Sequence, residues 1–194
     1  MRKLCFCAVL CTLLIGCENA AIEELRDTAF ENGIPSRVDA SLEGDTTRIE
    51  LDAELQTVWT ADDAVSVFYR TTANNLFRFA GATGDKSGAL IRETAYAGDT
   101  AIDEIVSLYP YSDAYVLDPT TSTIEVEIPA TQHYRTGSYG LGDNLMAYVG
   151  DSDNFLYRST CGWIRLELTG AQRVESITLR GNNNEQLSGA ATLD

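Results

Sequence analysis

The sequence predicts an all-β protein, an antiparallel β-sandwich, and three observations lead there. Apolar and polar residues alternate with period two in a series of short runs, the pattern of strands with one face on a core and one in solvent. The runs are bounded by Gly, Asn, Asp and Pro at places where tight turns are cheap: Asn74-Asn75, Gly84-Asp85, Asp118-Pro119, Gly150-Asp151 and Asn182-Asn183. No stretch longer than three helical turns sustains an i, i+3, i+4 apolar face. Short strands spaced about 8 to 15 residues apart, with a turn signal between each pair, fit a two-layered antiparallel body.

In chain order, the first segment is not part of that body. Met1-Arg2-Lys3 is cationic, and residues 4–16, LCFCAVLCTLLIG, are apolar or small. Such a run is too short to span a bilayer and has the length of a signal-peptide core. It ends in Leu14-Ile15-Gly16-Cys17, which resembles the lipobox of bacterial lipoproteins. That resemblance implies cleavage before Cys17, diacylation of its thiol and acylation of its new amine. At about 0.8 kcal/mol for each buried CH₂, two or three chains hold a protein on a bilayer where one does not. Residues 18–37 are polar and acid-rich, and read as a tether or removable leader. The β body begins at Val38. Its clearest strands are T-I-E-V-E-I-P (123–129) and G-W-I-R-L-E-L-T-G (162–170). Further candidates are AVSVFYR (64–70), NLFRFAG (75–81), EIVSLYPY (104–111), NLMAYVG (144–150), FLYRST (155–160) and VESITLRG (174–181). All are rich in Val, Ile, Tyr, Phe or Thr, the residues that suit a pleated surface. The expected organisation is a signal over 1–17, a leader over 18–37, an N-terminal β-sandwich over 38–170, and last strands or the start of a second β domain over 171–194. LSGAATLD ends on an incipient strand, from which more chain is expected to follow.

Charge and cysteine usage narrow the function. Fourteen Lys and Arg stand against 29 Asp and Glu, and loss of Arg2 and Lys3 with the signal leaves 12 against 29, or −17. A surface so acidic repels nucleic acid and anionic membrane. Four of the five cysteines, Cys5, Cys7, Cys11 and Cys17, lie in the first 17 residues and only Cys161 lies beyond. The mature body therefore has neither a disulfide framework nor a Cys-rich metal site to expect.

Candidate chemistry is sparse. His133 is the single histidine and would need Cys161 or a serine beside it, with a third group orienting it, to build a nucleophilic site. Cys161 sits in a strand-like RSTCGWIRL context without a nucleophile elbow. Carboxylates cluster at Asp62-Asp63, at Asp99, Asp103 and Glu104, and at Asp151 and Asp153. The last pair lacks the Gly and closing Glu of a calcium loop. Trp59, Tyr69, Tyr109, Tyr111, Tyr115, Tyr134 and Tyr139 are the aromatics from which a sugar-stacking face would be drawn, and as strand residues they equally fit core and edge positions. No phosphate loop, dinucleotide fingerprint or zincin motif occurs, so no enzyme activity, cofactor or metal is expected.

Several pieces then line up. V-W-T-A-D-D-A-V-S-V-F (58–68), NLFRF with G-A-T-G, L-Y-P-Y (108–111), I-E-V-E-I-P-A-T-Q (124–132), NLMAYVG, F-L-Y-R-S-T-C-G-W-I-R-L-E-L-T-G and I-T-L-R-G-N-N-N-E-Q-L-S-G-A (177–190) follow one another in an order that resembles the fimbrillin family of Bacteroidetes. The resemblance covers residues 38–191, and the lipobox precedes it as in that family. It implies two transthyretin-like, Greek-key β-sandwich domains, of which this chain carries mainly the first. It also implies a pilus subunit or pilus-like adhesin in the outer membrane, surface-exposed or built into a fimbrium, with other pilin subunits as partners in a homo- or hetero-polymer. In the family a trypsin-like protease cuts after an arginine, the amino-terminal strand leaves, and a strand of the next subunit fills the groove. Arg37 is the first candidate for that cut because Gly33 and Pro35 predict an exposed loop, and Arg48 and Arg26 are its rivals. A glycan-binding surface lipoprotein of a polysaccharide-uptake system, using the same anchor and the aromatics, is the alternative.

Overall fold

The computed structural model describes residues 30–31, 33–43, 50–51, 57–96, 98, 100–135, 138–140, 142–162, 164 and 166–194. Every regular element among them is a strand. In chain order these are β1 (Phe30–Glu31), β2 (Ile34–Pro35), β3 (Arg37–Leu42), β4 (Glu50–Leu51), β5 (Thr57–Val58), β6 (Ala64–Thr71), β7 (Asn75–Phe79) and β8 (Ser87–Arg92). There follow β9 (Ala101–Tyr109), β10 (Leu117–Asp118), β11 (Thr123–Ile128), β12 (Tyr134–Arg135), β13 (Ser138–Tyr139), β14 (Met146–Gly150), β15 (Asn154–Ser159) and β16 (Gly189–Leu193).

The protein is all-β, as the alternation predicts, but its centre is a closed barrel rather than an open sandwich. Seven strands run round it in the order β14-β15-β3-β8-β7-β6-β9, and β9 returns to β14. Every neighbouring pair is antiparallel except β15 with β3, which run parallel. A three-stranded sheet, β10-β11-β16, lies outside this ring.

Two apolar clusters follow from this layout. Inside the barrel, Trp59, Phe79, Phe155 and Tyr157 are at most 1% exposed and pack with Val38, Ala40, Val65, Phe77, Leu90 and Met146. Outside it, Phe68, Val106 and Leu108 meet Leu117, Ile124, Val126 and Leu145 beneath the small sheet. Thus β6 and β9 bury both faces, which is why EIVSLY reads as a nearly continuous apolar run rather than a clean alternation. Ring stacking organises the interior: Trp59 lies parallel to Phe79 at 4.9 Å and edge-on to Tyr157 at 5.3 Å, and Tyr148 stacks on Phe155 at 4.6 Å. Small interiors of this kind are filled by side chains and leave no channel.

One irregularity is anchored by polar contacts. Arg70 takes a left-handed backbone conformation (φ 54°) where the β6–β9 register shifts between Tyr69 and Thr71. Its guanidinium donates to the carbonyls of Asp103 and Asp151 at 3.0 and 3.1 Å, holding the bulge against β9 and the turn that follows β14.

The two strands expected over 162–170 and 174–181 are not found among the described residues. Their described residues run without ladder partners, and Ile164, Leu166, Leu168, Val174, Ile177 and Leu179 are all exposed. The barrel is already closed, so it offers them no free edge. Within residues 171–194, β16 pairs with β11 along Ile124↔Leu193 to Ile128↔Gly189.

Candidate functional site

The element that sets this fold apart is β3, because it is the first strand of the barrel in sequence and also the one that closes it. The local sequence explains its placement: in Arg37-Val38-Asp39-Ala40-Ser41-Leu42 every second residue is apolar. Val38 and Ala40 are each 2% exposed and join the interior cluster, with Leu42 packed against it, while Arg37 and Asp39 face solvent. On one side β3 pairs antiparallel with β8, Val38 opposite Leu90 and Ala40 opposite Gly88. On the other it runs parallel to β15, Ala40 beside Phe155 and Leu42 beside Tyr157. Three further backbone bonds hold it: the amides of Asp39, Leu42 and Glu43 donate to the carbonyls of Asp153 (3.0 Å), Lys86 (3.2 Å) and Tyr157 (3.0 Å). Past its end, the Arg158 guanidinium lies 3.1 Å from the Glu43 carboxylate.

Arg37 does not stand in an exposed loop, and that expectation is corrected. Its side chain is exposed and lies 3.2 Å from the Asp39 carboxylate, but its backbone is opposite Ile91 in the β3–β8 ladder. The preceding Ile34 and Pro35 are buried. Arg92 fastens them, its guanidinium donating to the Ile34 carbonyl and its amide to the Ser36 carbonyl at 2.9 Å. Burial of Ile34 at 1% exposure, between turn-forming Gly33 and strand-forming Val38, draws the whole approach onto the barrel. Cys17, Arg26 and Arg48 lie outside the described residues.

The remaining sequence candidates are dispersed. The backbone N–H of His133 donates to Asp143 Oδ2 at 2.8 Å, and its exposed ring keeps Nδ1 3.5 Å from the same oxygen. The Cys161 sulfur lies 3.7 Å from the Thr160 hydroxyl. Nothing among the described residues joins histidine to thiol. Asp63 caps a turn, accepting from the Thr60 amide at 2.7 Å, and Asp153 accepts from the Tyr69 hydroxyl of β6 at 2.6 Å. Partial burial, then that carboxylate, pushes the Tyr69 phenol up to about 12. Asp99 lies outside the described residues, and among those described no group of three His, Cys, Asp or Glu side chains is placed to hold a metal ion.

The aromatic face is not assembled as a sugar platform would require. Trp59 and Tyr109 point into the barrel, edge to face at 6.2 Å, with the indole N–H without a hydrogen-bond partner among the described residues. Burial, and then Asp63, drives the Tyr109 phenol well above its ordinary range. Tyr111 and Tyr115 are half-buried, the side chains of Tyr134 and Tyr139 lie outside the described residues, and among those described the exposed aromatic is Tyr96, which sequence reasoning did not single out. Sequence reasoning also passed over β3 itself, whose Val-x-Ala-x-Leu alternation is diluted by the small residues Ala40 and Ser41. No known protein family, characterised protein or solved structure matches this chain.

Proposed function

We propose that this chain is a lipid-anchored subunit of a pilus, or of a pilus-like surface adhesin, that assembles by exchanging its first barrel strand for a strand of a neighbouring subunit. In this reading the barrel and its outer sheet are the amino-terminal, transthyretin-like domain of a fimbrillin-type protein, held at the outer membrane through Cys17.

A single observation carries it: β3 is both first in the barrel's sequence and bounded by strands that stay together without it. Removing β3 leaves an open sheet in the order β15-β14-β9-β6-β7-β8, all from one continuous stretch between Ala64 and Ser159. Its two new edges bare ladder groups above an apolar floor of Leu90, Phe155 and Tyr157. Only another strand satisfies those groups and covers that floor at once. The glycan-binding alternative draws no comparable support, since Trp59 and Tyr109 are interior.

The topology also ranks the cleavage candidates. A cut after Arg26 or Arg37 leaves β3 joined to the barrel, whereas a cut after Arg48 separates it. Arg48 is the only Lys or Arg between Leu42 and Thr57. Arg48 therefore replaces Arg37 as the first choice. Treatment of the full-length lipoprotein with a trypsin-like protease is expected to release a piece ending at Arg48 and to yield multimers, read by mass spectrometry and electron microscopy. Arg48→Gln is expected to block both, and Arg37→Gln neither. A chain cut cleanly after Arg48 that remains monomeric would sink the reading.

A further inference from the structure

The geometry points to a size filter inside the β3 groove: it admits an incoming strand of a neighbouring subunit only when the central inward residue is Ala, Gly or Ser, with an aliphatic residue two places to either side. This deepens the strand-exchange reading and rests on it.

The filter is built from residues on both walls. Ala40 occupies the central position and is 2% exposed. On the β8 side its direct partner is Gly88. A Cβ placed on Gly88 would lie 2.7 Å from Phe79 Cε2 and 2.8 Å from Cζ, so the Phe79 ring already fills the space a side chain there would use. On the β15 side the partner is Phe155, whose ring is fully buried and stacked on Tyr148. Phe79 is in turn pinned by its stack on Trp59. Two immobilised rings thus flank the position, and only a methyl-sized group enters between them without displacing one.

The ends of the groove differ. Val38 lies opposite Leu90 and Leu42 beside Tyr157, positions lined by side chains rather than by a glycine under a ring. The outward positions, Asp39 and Ser41, face away from the interior cluster and set no such limit. The donor's pattern is therefore aliphatic, any, small, any, aliphatic, entered parallel to β15 and antiparallel to β8. A strand patterned like Ile124-Glu125-Val126-Glu127-Ile128 is the kind excluded, because its central residue is β-branched.

The test uses the full chain with a site-specific protease sequence placed within residues 44–49, nicked so that the β3 piece remains seated. Labelled peptides spanning residues 36–43 are then added: the native sequence, Ala40→Ser and Ala40→Leu. Displacement of the β3 piece, followed by fluorescence anisotropy, is expected to proceed with similar affinity for the native and Ser peptides and at least tenfold more weakly for Leu. Equal binding of all three overturns the filter and leaves strand exchange standing; binding of none overturns both. Melting of the intact chain is independent of the nick: Ala40→Leu is expected to lower Tm and Ala40→Ser to leave it within a few degrees. An unchanged Tm for Ala40→Leu likewise overturns the filter.

Discussion

T-I-E-V-E-I, in β11, and W-I-R-L-E-L, residues 163–168, have almost the same alternation of aliphatic and charged side chains. Their fates are opposite. Ile124 and Val126 are 2% and 5% exposed, with β10 on one side and β16 on the other. Ile164 and Leu166 are 68% and 50% exposed, in backbone without ladder partners. Period-two patterning states which face of a strand is to be buried; it does not supply the neighbouring edge or the surface that buries it. β11 finds both because Phe68, Val106 and Leu108 project from the outside of the barrel. The later segment meets a ring that has no edge left.

The strongest way to break this contrast is a matched pair of truncations. Ile124→Ala is expected to destabilise the fold by about 2–5 kcal/mol in denaturant titrations, as for other buried aliphatic truncations. Leu166→Ala is expected to change stability by no more than about 0.5 kcal/mol. Equal losses would mean that residues 163–168 are packed as well as β11.

The same pair shows how far the sequence is legible. Six strands, β6, β7, β9, β11, β14 and β15, fall where alternation and turn residues predict them, because each carries large β-forming side chains between clear stops. β3 and β8 are built partly from Ala, Ser and Gly, which weakens the local signal, and neither stands out. Ring closure was not readable at all: the pairing of Ala40 with Phe155 joins distant parts of the chain and leaves no local mark. That is why a barrel appears where a sandwich is expected. The exposed loop expected before Arg37 is not found for a related reason: Gly33 does mark a turn, but Pro35 pairs in β2 and Ile34 is buried. The candidate groove leaves no local mark in the sequence, and its central restriction emerges only once Gly88 and Phe79 are seen together.

A smaller effect separates the barrel from the rest. The Tyr157 hydroxyl, buried in the interior, is hydrogen-bonded to that of Ser107, which also donates to the Ser66 carbonyl at 2.8 Å. Tyr157→Phe is expected to cost about 0.5–1.5 kcal/mol, because one hydrogen bond is lost while Ser107 keeps another. A value near zero, from the same denaturant titration, would show that this contact adds nothing to barrel closure.

The mildest contrast is in alkali. Tyr69 ionises near 12 in the fold against an ordinary value of 10.0, so the fold favours its neutral form. Its contribution is complete below pH 10 and is lost as pH rises from 10 towards 12, since the unfolded chain gives up the proton more readily. Burial shifts Tyr109 and Tyr157 in the same direction. Residues 162–188 contain no tyrosine. Near-ultraviolet circular dichroism is expected to weaken over that pH window, and Tyr69→Phe to delay the change; an identical alkaline profile for the variant would remove Tyr69 from the account.

The parallel seam between β3 and β15 has a temporal consequence. During synthesis the ring's opening strand emerges long before the one that must flank it, so the ring stays unsealed until β15 arrives. Its contacts are of high sequence separation, which makes sealing late and slow relative to the hairpins of β6, β7 and β8. Until then a newly made molecule has an unsealed ring whose apolar interior, Leu90, Phe155 and Tyr157 included, stands open to other chains.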